Sequence, residues 1–137
     1  MKNLKSYKVF ESGEHLDNIK NDLQTMLYDF SDNGIEVEVT HTDRKNQDRE
    51  RFIVRIGRVF SNYKPEYNFS PMSYKDEFLR LFSYMESEDY EFSSLSYYDH
   101  NGVVHSYNKY DHTPLWSLSL IGETTNLKIF FRQKLSQ

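Results

Sequence analysis

Histidine and aspartate side chains are concentrated in one short stretch of the C-terminal third of the chain. Three of the five histidines lie there with two aspartates: Asp99, His100, His105, Asp111 and His112. Imidazole and carboxylate ligands on neighbouring strands could bind zinc or non-haem iron. However, no pair of these histidines has the helical i, i+4 spacing of a zinc protease, and Asp-His-Asn-Gly and Asp-His-Thr-Pro are ordinary turn sequences. We therefore expect exposed loop residues rather than a metal site, and no cofactor is predicted.

A basic segment is the second group of residues that could bind a ligand. Six basic and two acidic residues lie between positions 44 and 58, so the segment carries a formal charge of +4 in a chain of net charge -4. Basic groups beside aromatic side chains can hold the phosphates and stacked bases of nucleic acids. The alternation of sign along the segment is also typical of a solvated surface. A nucleic-acid or partner surface here would consist of Arg44, Lys45, Arg49, Arg51, Arg55 and Arg58.

Tyrosines and an N-terminal apolar stripe form the third group. Tyrosine combines rigid contact area with a hydroxyl and is enriched in binding surfaces, although it is equally a good strand former. Near the N-terminus, large apolar residues recur every three positions, as on one side of a short helix. Together these residues predict a partner-contact surface: Leu4, Tyr7, Phe10, Tyr97, Tyr98, Tyr107 and Tyr110.

Sequence motifs for nucleophilic catalysis are missing. The chain has no Gly-x-Ser-x-Gly elbow and no cysteine, and its five glycines are scattered singly rather than grouped in a phosphate-binding loop. We therefore expect a protein that is not an enzyme.

Helical and strand periodicities predict the elements that must position these residues. Apolar residues at three- and four-residue spacing predict helices over 14–32 and 73–87. Asn33-Gly34 is expected to end the first helix, since glycine readily adopts the left-handed cap conformation. Alternation with period two predicts an antiparallel pair and four further strands. The six segments are 35–41, 51–56, 90–98, 103–108, 115–121 and 127–132.

This order, α-β-β-α-β-β-β-β, predicts the fold class. Consecutive antiparallel strands and helices with one apolar stripe each favour an α+β two-layer sandwich, a mostly antiparallel sheet of about six strands with two main helices on one face. In the first strand pair the buried face should consist of Val37, Val39, Phe52, Val54 and Ile56.

Length and composition predict the domain organisation and location. A chain of 137 residues, 16% of them aromatic, fits one core. We expect an N-terminal arm over 1–12 and a single α+β domain over 13–137. No apolar run approaches the ~20 residues that cross a bilayer, and the N-terminus has no secretory apolar region, so a cytoplasmic location and no membrane contact are predicted.

The first twelve residues, MKNLKSYKVFES, resemble the start of small uncharacterised proteins of tailed bacteriophages. They are also similar to the leaders that target internal capsid proteins of large myoviruses into the prohead. Such leaders are cleaved after a glutamate that has an aliphatic residue two positions before it and a small residue after it. Val9-Phe10-Glu11 followed by Ser12 is similar, with valine in place of leucine or isoleucine and serine in place of alanine or glycine. The resemblance implies a phage protein found in the host cytoplasm or the virion.

Taken together, the residues predict a non-enzymatic binding or assembly protein that acts through a protein surface. Its partner would be another protein or a second copy, which would give a homodimer. The alternative is a nucleic-acid-binding accessory protein that uses the basic segment 44–58.

Overall fold

The computed structural model describes residues 4–42, 50–57, 68–99, 101–108 and 113–134, with the backbone alone described over 4–14. Within these ranges there are four helices and five strands. The helices are α1 (Leu4–Met26), α2 (Tyr28–Asp32), α3 (Lys75–Ser87) and α4 (Pro114–Ser119), and a 3-10 turn (Pro71–Tyr74) precedes α3. The strands are β1 (Val37–Thr42), β2 (Arg51–Gly57), β3 (Tyr90–Tyr98), β4 (Val104–Asn108) and β5 (Asn126–Gln133).

The strands form one antiparallel sheet in the order β1-β2-β5-β3-β4. The last strand of the chain, β5, therefore lies at the centre, between the β1–β2 pair and the β3–β4 hairpin. A one-residue irregularity in β3 between Phe92 and Ser94 keeps both ends of that strand in register with β5. The predicted α+β sandwich with a mostly antiparallel sheet is confirmed.

The first helix is longer at its start than its apolar pattern predicts. It is helical from Leu4 rather than residue 14, and it is interrupted at Leu27 before the short α2. The predicted stop is confirmed: Gly34 has φ 79°, and the Asn33 side-chain amide donates to the Asp29 carbonyl at 2.7 Å. The side chains of Leu4, Tyr7 and Phe10 lie outside the described part of α1.

The strand predicted over 115–121 is wrong, because this stretch contains α4. Thr113 caps the helix by accepting a hydrogen bond from the Trp116 amide at 3.2 Å, and Pro114 occupies the first turn, where its missing N–H costs nothing. The buried residues Leu118 and Ile121 are three positions apart, whereas Leu120 is exposed. The apparent alternation of Trp116, Leu118 and Leu120 was therefore not a strand face, and the described sheet has five strands rather than six.

Aromatic side chains fill the junction between the helices. Phe30 of α2 stacks on Tyr74 at 4.1 Å between ring centroids and meets Phe69 and Phe78 edge-on at 6.1 and 5.5 Å. Such pairs add about 0.5–1.5 kcal/mol each beyond their buried area. This cluster explains how a chain of modest apolar content builds a full core.

The helices pack on one face of the sheet, where the core lies. Val39, Phe52, Val54 and Ile56 are buried on this face and Val37 is partly buried, as predicted. Leu127, Ile129 and Phe131 of β5 continue it, with partners on β3. None of the described helices is long and apolar enough to cross a membrane.

Candidate binding surface

The sheet has a second face that no described helix covers. Because side chains alternate along a strand, the neighbours of the core residues point away from the helices. We call this set the open face. Its residues are Glu38, Thr40, Thr42, Arg51, Ile53, Arg55, Glu91, Ser94, Ser96, Tyr98, Val104, Ser106, Asn108, Lys128, Phe130 and Arg132.

Two apolar side chains lie at the centre of the open face. Phe130, on the central strand, is in register with Ile53 of β2 on one side and with Ser94 of β3 on the other. Both Ile53 and Phe130 are partly exposed, in contrast to their fully buried neighbours Val54 and Ile129. An apolar contact point thus lies in the middle of a surface that is mostly polar, with Val104 as a further apolar residue on the edge strand.

The open face carries four cations and two carboxylates. Arg55 Nη1 lies 3.7 Å from Glu38 Oε1, and Arg132 Nε donates to Glu91 Oε1 at 3.0 Å. Within the described ranges, Arg51 and Lys128 have no carboxylate oxygen within 4.0 Å. The surface therefore has a formal charge of +2 in a chain of net charge -4.

A depression of about 180 Å³ opens on this face beside Lys128. Ser96, Tyr98 and Val104 line it from β3 and β4, and Asn126 and Lys128 line it from β5. Lys128 lies between Arg55 and Ser96 in one row across the sheet. The lining therefore combines an ammonium group with hydroxyl and amide groups.

Thr124 braces the end of this depression. Its fully buried hydroxyl donates to the Tyr98 carbonyl at 2.7 Å and accepts from the Asn126 amide at 3.2 Å. Its backbone exchanges two 2.9 Å hydrogen bonds with Phe69. Nearby, Gly57 has φ 117°, and a Cβ there would collide with the Thr125 carbonyl. The Thr124 side chain thus joins the end of β3 to the start of β5, and Gly57 lets the end of β2 approach the segment before β5.

Asp99 and His105 close the β3–β4 hairpin at the same end. Asp99 Oδ2 lies 2.7 Å from His105 Nε2, and Oδ1 accepts from the amides of Asn101 and Val103 at 2.8 and 2.9 Å. The bond from His105, followed by the backbone donors, lowers the pKa of Asp99 to about 2. In the part of the chain that the structure describes, His105 makes no hydrogen bond to a serine or threonine hydroxyl. The described residues therefore place no hydroxyl nucleophile beside the pair in the manner of a catalytic triad.

The histidine-rich stretch shows no metal centre in its described part. His100 and His112 lie outside the described residues, and His105 is bound to Asp99. Across all described positions, no three histidine, aspartate or glutamate side chains are grouped as metal ligands.

A further polar cluster lies at the opposite end of the sheet. The Tyr90 hydroxyl donates to Glu50 Oε2 at 2.9 Å, and His41 Nε2 lies 3.6 Å from the same oxygen. Burial, followed by the bond to Glu50, raises the pKa of Tyr90. These residues join the start of β2 to the start of β3, so their contacts serve the fold.

The structure separates the predicted tyrosine surface into two faces. Tyr98 lies on the open face, whereas Tyr97 is buried on the helix side and its hydroxyl lies 3.5 Å from that of Tyr107. Burial, followed by this hydrogen bond, raises the pKa of Tyr97 to about 12. Tyr110 lies outside the described residues. Adjacent strand residues cannot share one surface, which is why the set divides.

Of the predicted basic surface, the structure describes Arg51 and Arg55, and both lie on the open face. Arg44, Lys45, Arg49 and Arg58 lie outside the described residues. Reasoning from the sequence missed Lys128 and Phe130. Their strand was predicted, but its central position, which brings them beside Arg55 and Ile53, depends on contacts between residues far apart in the chain.

Comparison of the chain with protein-family models, curated proteins and solved structures finds no match. The function must therefore be argued from the geometry of the open face.

Proposed function

We propose that this protein is a non-enzymatic binding protein that holds a protein partner on the open face. The observation that carries the proposal is the partly exposed Ile53–Phe130 pair, which lies at the centre of a sheet face that no described helix covers. Protein interfaces share this arrangement, an apolar centre within a polar rim, and their affinity is concentrated in a few central side chains.

The mixture of charges favours a protein partner over a nucleic acid. Nucleic-acid interfaces are much more positive than protein interfaces. Here Glu38 and Glu91 are held on the face by Arg55 and Arg132 and would repel phosphates. A residual charge of +2 instead suits an acidic protein surface, which it would attract and orient.

The size of the open face is adequate for a specific contact. Five strands about 4.8 Å apart span roughly 24 Å, and strands of about seven residues also extend roughly 24 Å. The planar footprint is therefore roughly 600 Å², and the uneven height of the side chains adds further area. A standard interface buries about 800 Å² on each partner, so a contact of that size would use the whole face.

The proposal is tested with Phe130→Ala. A partner is captured from the native context, purified, and its affinity measured by calorimetry. Loss of a central aromatic should weaken binding about 10- to 30-fold, since tenfold corresponds to about 1.4 kcal/mol. Tyr28→Ala is the matched control, because Tyr28 is an exposed aromatic on α2.

A second variant keeps the proposal testable if Phe130→Ala does not fold. Arg51→Glu reverses an exposed charge at the edge of the open face and should reduce the association rate for an acidic partner. Equal affinities for the wild type, Phe130→Ala and Arg51→Glu would refute the proposed surface.

Nucleic-acid binding is the competing outcome, and the observation that favours it is the pair of cations without carboxylates, Arg51 and Lys128. A phosphate-driven complex loses affinity steeply as salt rises. If the protein binds single-stranded oligonucleotides with such a salt dependence, and Arg51→Glu removes that binding, this function replaces the protein-partner proposal.

We propose separately that residues 1–12 are a phage leader that a prohead protease removes. The backbone is helical through Glu11, and a protease needs an extended chain, so the first turns of α1 would have to unwind. After co-expression with a prohead protease, intact-mass measurement should show cleavage after Glu11. An unchanged mass would reject the leader.

A further inference from the structure

The depression beside Lys128 has the chemistry of an anion site. Lys128 supplies an ammonium group with three donors, and Ser96 and Tyr98 add hydroxyl-bearing side chains to the lining. Val104 forms an apolar wall. No carboxylate is among the residues that line it.

The nearest acidic residue in the same row is distant and already neutralised. Glu38 lies two strands from Lys128, roughly 10 Å at ~4.8 Å per strand, with Arg55 between them. Arg55 also has a buried Nε without a hydrogen-bond partner. Lys128 is therefore the cation that lines the depression, and Arg55, its neighbour in the row, adds positive charge beside it.

The volume indicates the kind of anion. The depression, about 180 Å³ and open to solvent, has room for a compact oxyanion together with part of the group that carries it. Because the lining residues lie on paired strands, and Thr124 joins the end of β3 to the start of β5, the backbone around the depression is held in place before binding.

We infer that this depression is a subsite for a phosphate or carboxylate group carried by the partner that docks on the open face. The inference rests on the proposed function for the source of the anion. The binding chemistry itself belongs to Lys128, Ser96 and Tyr98 and can be measured without the partner.

The test uses the full chain labelled with ¹⁵N and two small probes. Phenyl phosphate represents a phosphate ester and benzoate represents a carboxylate, while sodium chloride matches the ionic strength. We expect saturable shifts of the Ser96 and Lys128 amides with at least one probe. Saturation by one probe alone identifies the anion, and shifts that stay linear, as with chloride, would overturn the site.

Variants decide whether Lys128 is responsible. Lys128→Met should weaken binding of the saturating probe at least tenfold, and Lys128→Arg should retain most of it because the charge is kept. Lys75→Met is the matched control, since it removes the same charge from an exposed position on α3. Equal affinity in the wild type and Lys128→Met would overturn the inference.

The two proposals fail separately. If a probe saturates the site but Phe130→Ala leaves partner binding unchanged, the anion site is supported and the proposed protein contact is refuted. If Phe130→Ala weakens the partner but Lys128→Met does not, the protein contact stands and the assignment of the subsite to a group on the partner is refuted.

Discussion

Replacing Thr124 with valine tests whether one buried hydroxyl holds the open face in shape. The substitution keeps the β-branched outline and removes only the polar atom. That hydroxyl donates to the Tyr98 carbonyl at 2.7 Å and accepts from the Asn126 amide at 3.2 Å. The loss of two hydrogen bonds lowers the free energy of unfolding by about 1–1.5 kcal/mol each, and burial of the added methyl group raises it by about 0.8 kcal/mol. The free energy of unfolding should fall by about 1.5–2 kcal/mol.

Urea unfolding measures this loss as a lower midpoint with an unchanged slope. The melting temperature should drop by about 5–7 °C for a chain of this length. Thr42→Val is the control, because the Thr42 hydroxyl makes only a long, exposed contact of 3.5 Å with the Arg51 carbonyl. That variant should change stability by less than about 0.5 kcal/mol.

The same substitution also links the fold to the candidate site. A loosened junction between β3 and β5 should weaken binding of the anion probe at the depression beside Lys128. If Thr124→Val is as stable as the wild type, the hydroxyl does not brace the sheet, and the argument for a pre-formed subsite is refuted with it.

Two further predictions concern the helix α4, found where a sixth strand was expected, and the Asp99–His105 hydrogen bond of the β3–β4 hairpin. Leu118→Ala should lower the free energy of unfolding in urea by about 2–5 kcal/mol, because Leu118 is fully buried. Leu120→Ala changes an exposed position and should lower it by less than about 1 kcal/mol. Equal losses would contradict the helix, because a strand would place both side chains on one face. Folding lowers the pKa of Asp99 from 3.8 to about 2, so the folded state binds fewer protons between these values and stability rises with pH. The contribution of Asp99 to stability is complete above pH 4 and is lost as pH falls through about 2. The difference in the free energy of unfolding between the wild type and Asp99→Asn should therefore rise with pH across this window. A difference that does not change with pH would argue against the hydrogen bond between Asp99 and His105.

Local patterns predicted the elements that depend on neighbouring residues. The β1–β2 pair follows from alternation alone, and its register places Glu38 opposite Arg55. The stop at Asn33-Gly34 depends on one backbone conformation, so it too could be predicted. The interval 115–121 was ambiguous, because a short apolar run fits either period, and the cap at Thr113 decided it.

The candidate site could be predicted only in part. Arg51 and Arg55 were identified from the local charge, but Tyr97 and Tyr98 were grouped as one surface although a strand must divide them. Lys128 and Phe130 have no local signal, since a lysine and a phenylalanine in a strand are ordinary.

The sequence by itself determined which faces of α3 and of the β1–β2 pair are apolar, because that depends on period and composition within a few residues. Only the tertiary structure decided that β5 enters between β2 and β3. That placement depends on pairing between residues separated by about half the chain, such as Val54 with Ile129 and Ile53 with Phe130. The open face, its apolar centre and the depression beside Lys128 all result from this one insertion.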